Sequence, residues 1–406
     1  MSIVDEETML TSQSTEELYR EHMLPTYAPW MTLVRGDGCY VWDTDGNRYL
    51  DLIGGIAVNT LGHAHPAIQE AIVNQAGRLM HVSNLFYNEP QAQLAAELSR
   101  VAGGGWCSFF CNSGAEANEG LIKLARRWGG GTRFEVITLK QSFHGRTLAT
   151  LTATGQDKVK VGFDPLPAGF THVEAGSIEA LKAAVSDRTA AVLLEVVQGE
   201  GGVRPMPHEY LREVRALCDE RGLLLLFDEV QTGVGRTGHW FAWQGAGVQP
   251  DAFSLAKGLG GGIPIGAVMV KAALRDVLSV GSHATTFGGN PLCSSVALSV
   301  LRTIEKEGIL EHVQREGAWF REQLTALKAR CACIREVRGV GFMIGVELDR
   351  PVAPILAELR RRGLLLLPAG ERVLRMVPAL VLRHEQISES LEMLESVLAP
   401  LGADGL

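Results

Sequence analysis

The sequence predicts an α/β protein with a mostly parallel sheet in a large domain and a smaller α+β domain. Between residues 107 and 270, short apolar runs alternate with helical stretches. Strands that are apolar throughout are typical of a parallel sheet that is covered on both faces. After Pro291 this alternation gives way to two long helical patterns and two short strands. The length of 406 residues also exceeds what one ordinary core accommodates, which indicates more than one domain.

Composition places the chain among globular proteins and excludes several classes of function. Hydrophobic residues make up 46% of the sequence, and no apolar run approaches the roughly 18 residues that a membrane span needs. The net charge is −8 without any basic block, so we expect no nucleic-acid partner. The seven cysteines are scattered and do not predict a disulfide framework. The acidic residues from Asp5 onwards do not fit a targeting signal. Both observations favour the cytoplasm. The histidines lack metal-ligand spacing, and we expect no metal site.

The elements are expected in a regular order. A helix is predicted over residues 15–23, a hairpin around residues 39–43, and helices that begin at Pro66 and Pro90. The apolar runs predict strands at residues 107–111, 134–139, 190–197, 223–227, 252–256 and 265–270. Helices over 291–306 and 311–328 and strands at 334–338 and 343–348 follow. We therefore predict a segment 1–60 that packs with the small domain, a large domain 61–295 and a small domain 296–406.

Lys257 directly follows the apolar run 252–256, and glycines stand at positions 258 and 260–262. An ammonium at the end of a buried strand is costly unless it is paired or loses its charge. Neighbouring glycines let another group approach closely. This pattern is typical of a lysine that reacts with a carbonyl cofactor, but a strand-end lysine that reaches into solvent gives the same pattern.

Two further strand ends carry polar groups at the edge where parallel sheets bind ligands. Ser113 and Glu116 match a capping box, and the helix that begins there offers free N–H groups to an anion. An ordinary helix cap explains the same residues. Asp228 follows the run 223–227 and needs a cationic partner, for which a protonated pyridine nitrogen is suited. A P-loop nucleotide-hydrolysing enzyme is excluded, because no lysine of the chain precedes Ser or Thr as its phosphate loop requires.

Two arginines, a glutamate and a phenylalanine complete the candidate residues. Arg146 and Arg375 could each bind a carboxylate through a bidentate fork, with a surface salt bridge as the alternative. Glu200 stands among glycines, which leave its side chain facing a cavity. Phe143 could stack on an aromatic ring or pack in the core.

In their order along the chain, these clusters resemble the class III pyridoxal-phosphate aminotransferases. The resemblance runs from about residue 24 to residue 380. The motifs that carry it are Ser113-Gly114-Ala115, Ser142-Phe143-His144-Gly145-Arg146, Gln198-Gly199-Glu200-Gly201-Gly202, Asp228-Glu229-Val230-Gln231, Lys257 and Thr286-Phe287-Gly288-Gly289-Asn290-Pro291. Within the family, the run His81-Val82-Ser83-Asn84-Leu85-Phe86-Tyr87-Asn88-Glu89-Pro90-Gln91 is most similar to the acetylornithine aminotransferase branch. Val196 departs from the family, which often has proline there.

The resemblance implies the fold type I of pyridoxal-phosphate-dependent transferases, with the cofactor bound in the large domain. It implies that Lys257 bonds covalently to the cofactor and carries the proton. The other implied roles are Asp228 at the pyridine nitrogen, Gln231 at the ring hydroxyl, Phe143 on the ring face, Ser113, Gly114 and Ala115 at the phosphate, Thr286 at the phosphate of the partner subunit of a homodimer, and Arg146 with Tyr27 at the carboxylate of the amino donor.

The implied reaction is the transfer of the terminal amine of acetylornithine to 2-oxoglutarate, a step of arginine biosynthesis. Ornithine, 4-aminobutyrate and succinyl-diaminopimelate are alternative donors. We further hypothesise that Glu200 pairs with Arg375 while the donor is bound and swings away for glutamate, because an unpaired buried arginine is costly. A transcription regulator that keeps this domain as a sensor is disfavoured, because the enzyme motifs begin within the first 35 residues.

Overall fold

The computed structural model describes residues 12–402, so that Asp5 and the last four residues of the predicted small domain lie outside the described residues. Its strands are β1 Leu33–Asp37, β2 Tyr40–Asp43, β3 Arg48–Asp51, β4 Trp106–Cys111, β5 Glu135–Leu139, β6 Phe170–Val173, β7 Thr189–Glu195, β8 Val197–Gln198, β9 Arg204–Pro205, β10 Leu224–Asp228, β11 Ala252–Leu255, β12 Gly266–Lys271, β13 Ile334–Val340, β14 Met343–Leu348, β15 Leu364–Leu365, β16 Leu367–Pro368 and β17 Val373–Met376. Its helices are α1 Ser12–His22, the short turn α2 Gly54–Ala57, α3 Pro66–Ala76, α4 Glu89–Val101, α5 Gly114–Trp128, α6 Leu148–Ala153, α7 Ile178–Ala184, α8 His208–Arg221, α9 Ala242–Ala246, α10 Pro291–Lys306, α11 Ile309–Leu327, α12 Ala353–Arg361 and α13 His384–Leu398.

Three predicted helix starts are confirmed, and each has the same local cause. The helices α3, α4 and α10 all have proline in their first turn, where its missing N–H costs no hydrogen bond. The side chains of His65, Asn88 and Asn290 accept hydrogen bonds from backbone N–H groups at these starts. Sequence and structure agree here because proline and a polar cap act within one turn.

A seven-stranded sheet forms the centre of the molecule, in the order β4-β12-β11-β10-β7-β5-β6. The strand β12 runs antiparallel to both of its neighbours, β11 and β4, and the other six strands are parallel to one another. Every residue of β7 and β10 is buried, as expected for strands covered on both faces. The predicted α/β class with a mostly parallel sheet is therefore confirmed.

The edge strand β6 has no counterpart among the predicted strands. Only Val173 of its four residues is buried, and Thr171 is exposed. A strand at the edge of the sheet is covered less than a central one, so its sequence alternates and is not apolar throughout. An apolar run therefore does not mark this strand in the sequence.

Two smaller sheets lie outside the central one. The meander β1-β2-β3 continues into β15, since Leu50 and Leu364 pair in parallel register. The last sheet has the order β13-β14-β17-β16. The N-terminal strands thus share a sheet with a strand from the C-terminal part, which supports the proposed grouping of residues 1–60 with residues 296–406. The helix α10 spans the proposed boundary at residue 295 and packs against α3 and α4. Across residues 12–402, no helix combines the length and apolarity that a membrane crossing requires.

Candidate active site

A cavity of about 430 Å³ opens at the carboxyl end of the parallel strands. Nine of the twelve predicted site residues line it: Ser113, Gly114, Ala115, Phe143, Arg146, Glu200, Asp228, Gln231 and Lys257. Asp228 ends β10, and the others come after β4, β5, β8, β10 and β11 in the chain. The convergence has a simple cause, because the carboxyl ends of parallel strands meet at one edge of the sheet.

Lys257 begins a short 3-10 turn just beyond the end of β11. Its backbone has a φ of 40°, in the left-handed region that side-chain-bearing residues rarely adopt. Desolvation by the surrounding protein lowers the pKa of its ammonium to about 8, and the charge of Glu200 acts in the opposite direction. An amine with this pKa is partly neutral near physiological pH, as a nucleophile or proton acceptor requires.

The glycines after Lys257 are required by close packing. A side chain on Gly258 would begin 2.8 Å from the hydroxyl of Thr60, which donates to the Gly258 carbonyl. A side chain on Gly261, whose φ is +55°, would meet Ile68 and Val300 at less than 3 Å. The turn that presents the lysine is thus held between the N-terminal segment and α10.

Asp228, the last residue of β10, is held by a buried set of donors. Its Oδ2 accepts from His144 Nδ1 at 2.8 Å and from Asn118 Nδ2 at 2.7 Å. Its Oδ1 accepts from the backbone N–H of Val230 at 3.0 Å. All three side chains are at least 96% buried. A carboxylate fixed in this way at a cavity wall is suited to pair with a cation in the cavity.

The start of α5 forms a second wall of the cavity. Ser113 Oγ accepts from the N–H of Glu116 at 3.1 Å, as the predicted capping box requires. The Glu116 carboxylate accepts from the N–H of Asn112, one residue earlier than in a standard capping box. A Cβ on Gly114 would lie 2.7 Å from Val230, so only glycine fits there. The N–H groups of the first turn have no hydrogen-bond partner inside the helix. Together with the positive end of the helix dipole, they form a site that can bind an anion.

Phe143 and Arg146 lie at the outer side of the cavity. The Arg146 guanidinium carbon is 5.4 Å from the centre of the Phe143 ring. Arg146 is exposed, and within the described part of the chain it forms no ion pair with a carboxylate. Its charge is therefore available to an anionic ligand.

Arg375 reaches the cavity through Glu200. The Arg375 guanidinium donates to Glu200 Oε1 at 2.5 Å, and the arginine side chain is 3% exposed against 33% for the glutamate. Arg375 stands on β17, and Glu200 stands in the turn between β8 and β9. The predicted pairing of the two side chains is thus present in the structure.

Two predicted residues lie away from the cavity in this single chain. Tyr27 is 87% exposed in the segment between α1 and β1. Thr286 is exposed and lines a separate cavity with Phe109, Glu116 and Phe287. The roles of Tyr27 and Thr286 stay predictions.

Sequence reasoning missed three residues of the site, namely Asn118, Glu195 and the His144 side chain. Asn118 lies among buried apolar residues on the inner face of α5, and a polar residue in an apolar helical stripe is the signal that could have identified it. Glu195 ends the apolar strand β7 as Asp228 ends β10, so both carry the same signal. His144 was part of a named cluster, but its partner stands 84 residues later and is invisible locally.

The cavity has the chemical features that pyridoxal phosphate requires. A helix start suits its phosphate, a fixed carboxylate suits its pyridine nitrogen and a lysine with a depressed pKa suits its aldehyde. The Gln231 side-chain oxygen is buried with no hydrogen-bond partner among the described residues, although Gln231 lines the cavity. A buried acceptor without a partner is costly, and the ring hydroxyl of the cofactor would satisfy it.

Comparison with known proteins agrees with this site. The model of the family "Aminotransferase class-III" matches residues 24–398. The acetylornithine aminotransferase of Myxococcus xanthus is 50% identical over 387 residues, covering 93% of this chain and 96% of the relative. That of Caldanaerobacter subterraneus is 48% identical over 388 residues, covering 94% and 98%.

Solved structures show the same fold. The ornithine aminotransferase of Toxoplasma gondii superposes with a TM-score of 0.93 at 31% identity, covering 98% of this chain and 97% of that chain. The N-acetylornithine aminotransferase of Stenotrophomonas maltophilia gives a TM-score of 0.83 at 36% identity, covering 96% and 100%. The fold, the cavity and the matched relatives agree: this chain belongs to the class III aminotransferases, which depend on pyridoxal 5'-phosphate.

Proposed function

We propose that this enzyme transfers the terminal amino group of N2-acetylornithine to 2-oxoglutarate. The products are N-acetylglutamate 5-semialdehyde and glutamate, which places the enzyme in arginine biosynthesis in the cytoplasm. The observation that carries this choice of donor is the arrangement of two arginines at one cavity: Arg146 has no carboxylate partner among residues 12–402, and Arg375 is neutralised by Glu200. Relatives that bear the name acetylornithine aminotransferase at 44–50% identity add support.

The cofactor would be held by the walls of the cavity. The first turn of α5 after Ser113 would bind the phosphate, Asp228 the pyridine nitrogen and Gln231 the ring hydroxyl, with Phe143 against the ring face. When bound, pyridoxal phosphate supplies an aldehyde that bonds to amines and a pyridinium ring that withdraws electrons from the reacting carbon. Asp228 keeps that ring protonated, because its carboxylate is fixed by His144 and Asn118.

Lys257 would hold the cofactor aldehyde and then move the proton. Its pKa of about 8 leaves a useful fraction of the amine neutral at neutral pH. Once the substrate amine displaces it, the Lys257 Nζ would take the proton from the reacting carbon of the substrate and return it on the cofactor side. Thr60 donates to the Gly258 carbonyl at 2.7 Å and thereby holds the turn from which Lys257 extends.

The two carboxylate-binding arginines would serve different substrates. Acetylornithine carries its carboxylate far from the reacting amine, and Arg146, with Tyr27 beside it, would bind that carboxylate at the cavity mouth. Glutamate also carries a carboxylate next to its reacting amine, and Arg375 would bind this one after Glu200 has swung away. While acetylornithine is bound, Glu200 would stay paired with Arg375, so that the buried guanidinium is not left without a counter-charge.

We propose a homodimer in which Thr286 completes the phosphate site of the partner subunit. Exposed apolar residues around Thr286 support this assembly, since a patch of this kind marks an interface. Leu85, Phe86, Tyr87 and Phe287 are 86%, 66%, 108% and 60% exposed. Asn84 donates to the Gly288 carbonyl at 3.0 Å, so the two exposed segments form one surface.

Ornithine is the second candidate donor, because the Toxoplasma gondii ornithine aminotransferase superposes with the higher TM-score. The fold-level match does not decide the donor, since substrate choice depends on a few side chains of the site. Sequence identity, which samples those side chains, is higher for the acetylornithine enzymes.

Rates with competing donors test this choice. The measurement is kcat/KM for acetylornithine, ornithine, 4-aminobutyrate and succinyl-diaminopimelate, each with 2-oxoglutarate. We expect acetylornithine to be preferred by about a hundredfold, which is about 3 kcal/mol. A similar preference for any other donor would overturn the proposed function.

A further inference from the structure

Glu195 is a buried acid of the cavity wall to which the mechanism above gives no role. It is the last residue of β7, it is 94% buried and it lines the cavity. It is the register partner of Asp228 on the adjacent parallel strand β10. Two carboxyl groups thus end neighbouring strands at the same edge of the sheet.

The two oxygens of Glu195 bind two different loops. Oε2 accepts from the backbone N–H of Phe143 at 3.1 Å, and Oε1 accepts from that of Gly199 at 3.4 Å. Phe143 is the proposed ring-face residue, and Gly199 directly precedes Glu200. One carboxyl group therefore connects the loop that would cover the cofactor with the loop that carries the partner of Arg375.

The two acids have different sets of hydrogen-bond donors. Among residues 12–402, Asp228 accepts from the side chains of His144, Asn118 and Ser254 and from the Val230 N–H, whereas Glu195 accepts from two backbone N–H groups. Within the described residues, Glu195 has no ion-pair partner. Asp228 therefore has the larger set of donors of the two neighbouring acids, and in this part of the chain the carboxyl of Glu195 is held by the two loops alone. Burial, followed by the charge of Asp228, raises the pKa of Glu195 well above its usual value.

We propose that Glu195 is a positioning residue that ties the Phe143 loop and the Gly199–Glu200 loop to the strand end beside Asp228. Its buried carboxyl is costly for stability, and this cost is typical of a functional site. The inference rests on the proposed function for the identity of the donor, but its effect on cofactor binding is independent of the donor.

The substitution Glu195→Gln tests the connection directly. Glutamine replaces one of the two accepting oxygens with an NH2 group, which cannot accept from a backbone N–H, so the amide can hold only one of the two loops. We expect the apoenzyme to bind pyridoxal phosphate about tenfold more weakly, with a smaller visible circular dichroism signal from the bound cofactor. Glu135→Gln is the matched control, because Glu135 begins the adjacent strand β5 at the far end of the sheet and pairs with Arg188. It should stay within about twofold of wild type.

A double-mutant cycle with Glu200→Ala separates positioning from general damage. If Glu195 acts through the Glu200 loop, Glu195→Gln changes the ratio of the acetylornithine and glutamate half-reaction rates by about fivefold in wild type. In the Glu200→Ala background the same substitution should change that ratio by less than about twofold. A purely structural role would give equal changes in both backgrounds.

The proposal is overturned if Glu195→Gln binds the cofactor within twofold of wild type, or if the two effects simply add. Should Glu195→Gln fail to fold, Glu195→Asp replaces it, since a carboxylate one carbon shorter cannot reach both N–H groups. Wild-type affinity in Glu195→Asp would equally overturn the proposal. Failure of the wild-type enzyme to use acetylornithine would contradict the proposed donor alone, because the cofactor affinities would still decide the role of Glu195.

Discussion

His144 donates a 2.8 Å hydrogen bond to Asp228 across 84 residues of sequence, and both side chains are buried. Asn118 donates to the same oxygen from α5. The carboxylate that would pair with the cofactor is therefore fixed by a helix and a loop that approach it from different parts of the chain. Its orientation depends on these partners as much as on its own strand.

Replacing His144 should weaken the enzyme through Asp228. In His144→Phe the carboxylate loses one of its three side-chain donors among the described residues, and we expect kcat to fall by about ten- to a hundredfold. Steady-state kinetics checks this. In an Asp228→Asn background, which is itself expected to lose about a thousandfold, the same substitution should cost less than about threefold. Equal losses in both backgrounds would show that His144 acts elsewhere.

Removal of the cofactor should expose the cost of burying Lys257. Because the folded-state pKa of about 8 lies below that of a free lysine, the unfolded apoenzyme binds the extra proton between pH 8 and 10.5. Stability attributable to Lys257 therefore rises with pH through this window. Apo Lys257→Met should be more stable than apo wild type at pH 7 by up to about 3 kcal/mol, and the difference should shrink towards pH 10.5. Urea unfolding at several pH values measures it; a difference that is independent of pH would contradict the assignment.

The shared phosphate site predicts complementation between two defective subunits. A heterodimer of Lys257→Ala and Thr286→Ala subunits contains one site in which both Lys257 and Thr286 are intact, if Thr286 crosses to the partner. The purified heterodimer should therefore show about half of the wild-type activity per site at limiting cofactor, and the unsorted mixture about a quarter. Co-expression with two affinity tags and assay of the purified heterodimer tests this. If Thr286 served its own subunit, no heterodimer site would be intact and no activity would return.

Arg236 should matter for stability more than for chemistry. It is buried, its NH1 donates to the carbonyls of Phe342 and Pro378, and within residues 12–402 no carboxylate pairs with it. Desolvation lowers its pKa to about 9. Arg236→Met would leave both buried carbonyls without this donor, and we expect a loss of about 2–4 kcal/mol. Thermal unfolding measures it, and Arg212→Met, at an exposed surface pair, is the control. An unchanged melting temperature would contradict this role.

Much of the central sheet could be predicted from local patterns. The predicted runs at 107–111, 223–227 and 252–256 match β4, β10 and β11 to within one residue, because strands of this sheet are mostly apolar. The edge strand β6 escaped for the opposite reason, since its partial exposure gives it an alternating sequence. The apolar pattern therefore identifies strands whose residues are mostly apolar, including the edge strand β4, and misses β6, whose sequence alternates.

The site could be predicted only where a residue stands directly after an apolar run. Asp228 and Lys257 were found in this way, and the resemblance to a family assigned their roles. The hydrogen bonds of His144, Asn118 and Glu195 join residues that are distant in sequence, and no local pattern shows such pairs. Tyr27 and Thr286 lie outside the cavity in this chain, so their predicted roles rest on the resemblance to the family alone.

The most direct test of the account concerns the pairing of Glu200 with Arg375, which would let one site serve two kinds of substrate. The test variant is Glu200→Ala, and the control is Glu209→Ala on the surface of α8. In each variant, single-turnover absorbance changes of the bound cofactor measure the rate of the acetylornithine half-reaction and, separately, that of the glutamate half-reaction. We predict that the acetylornithine half-reaction slows at least about tenfold, because Arg375 is left charged and unpaired, while the glutamate half-reaction stays within about threefold. Equal effects on the two half-reactions would contradict the account.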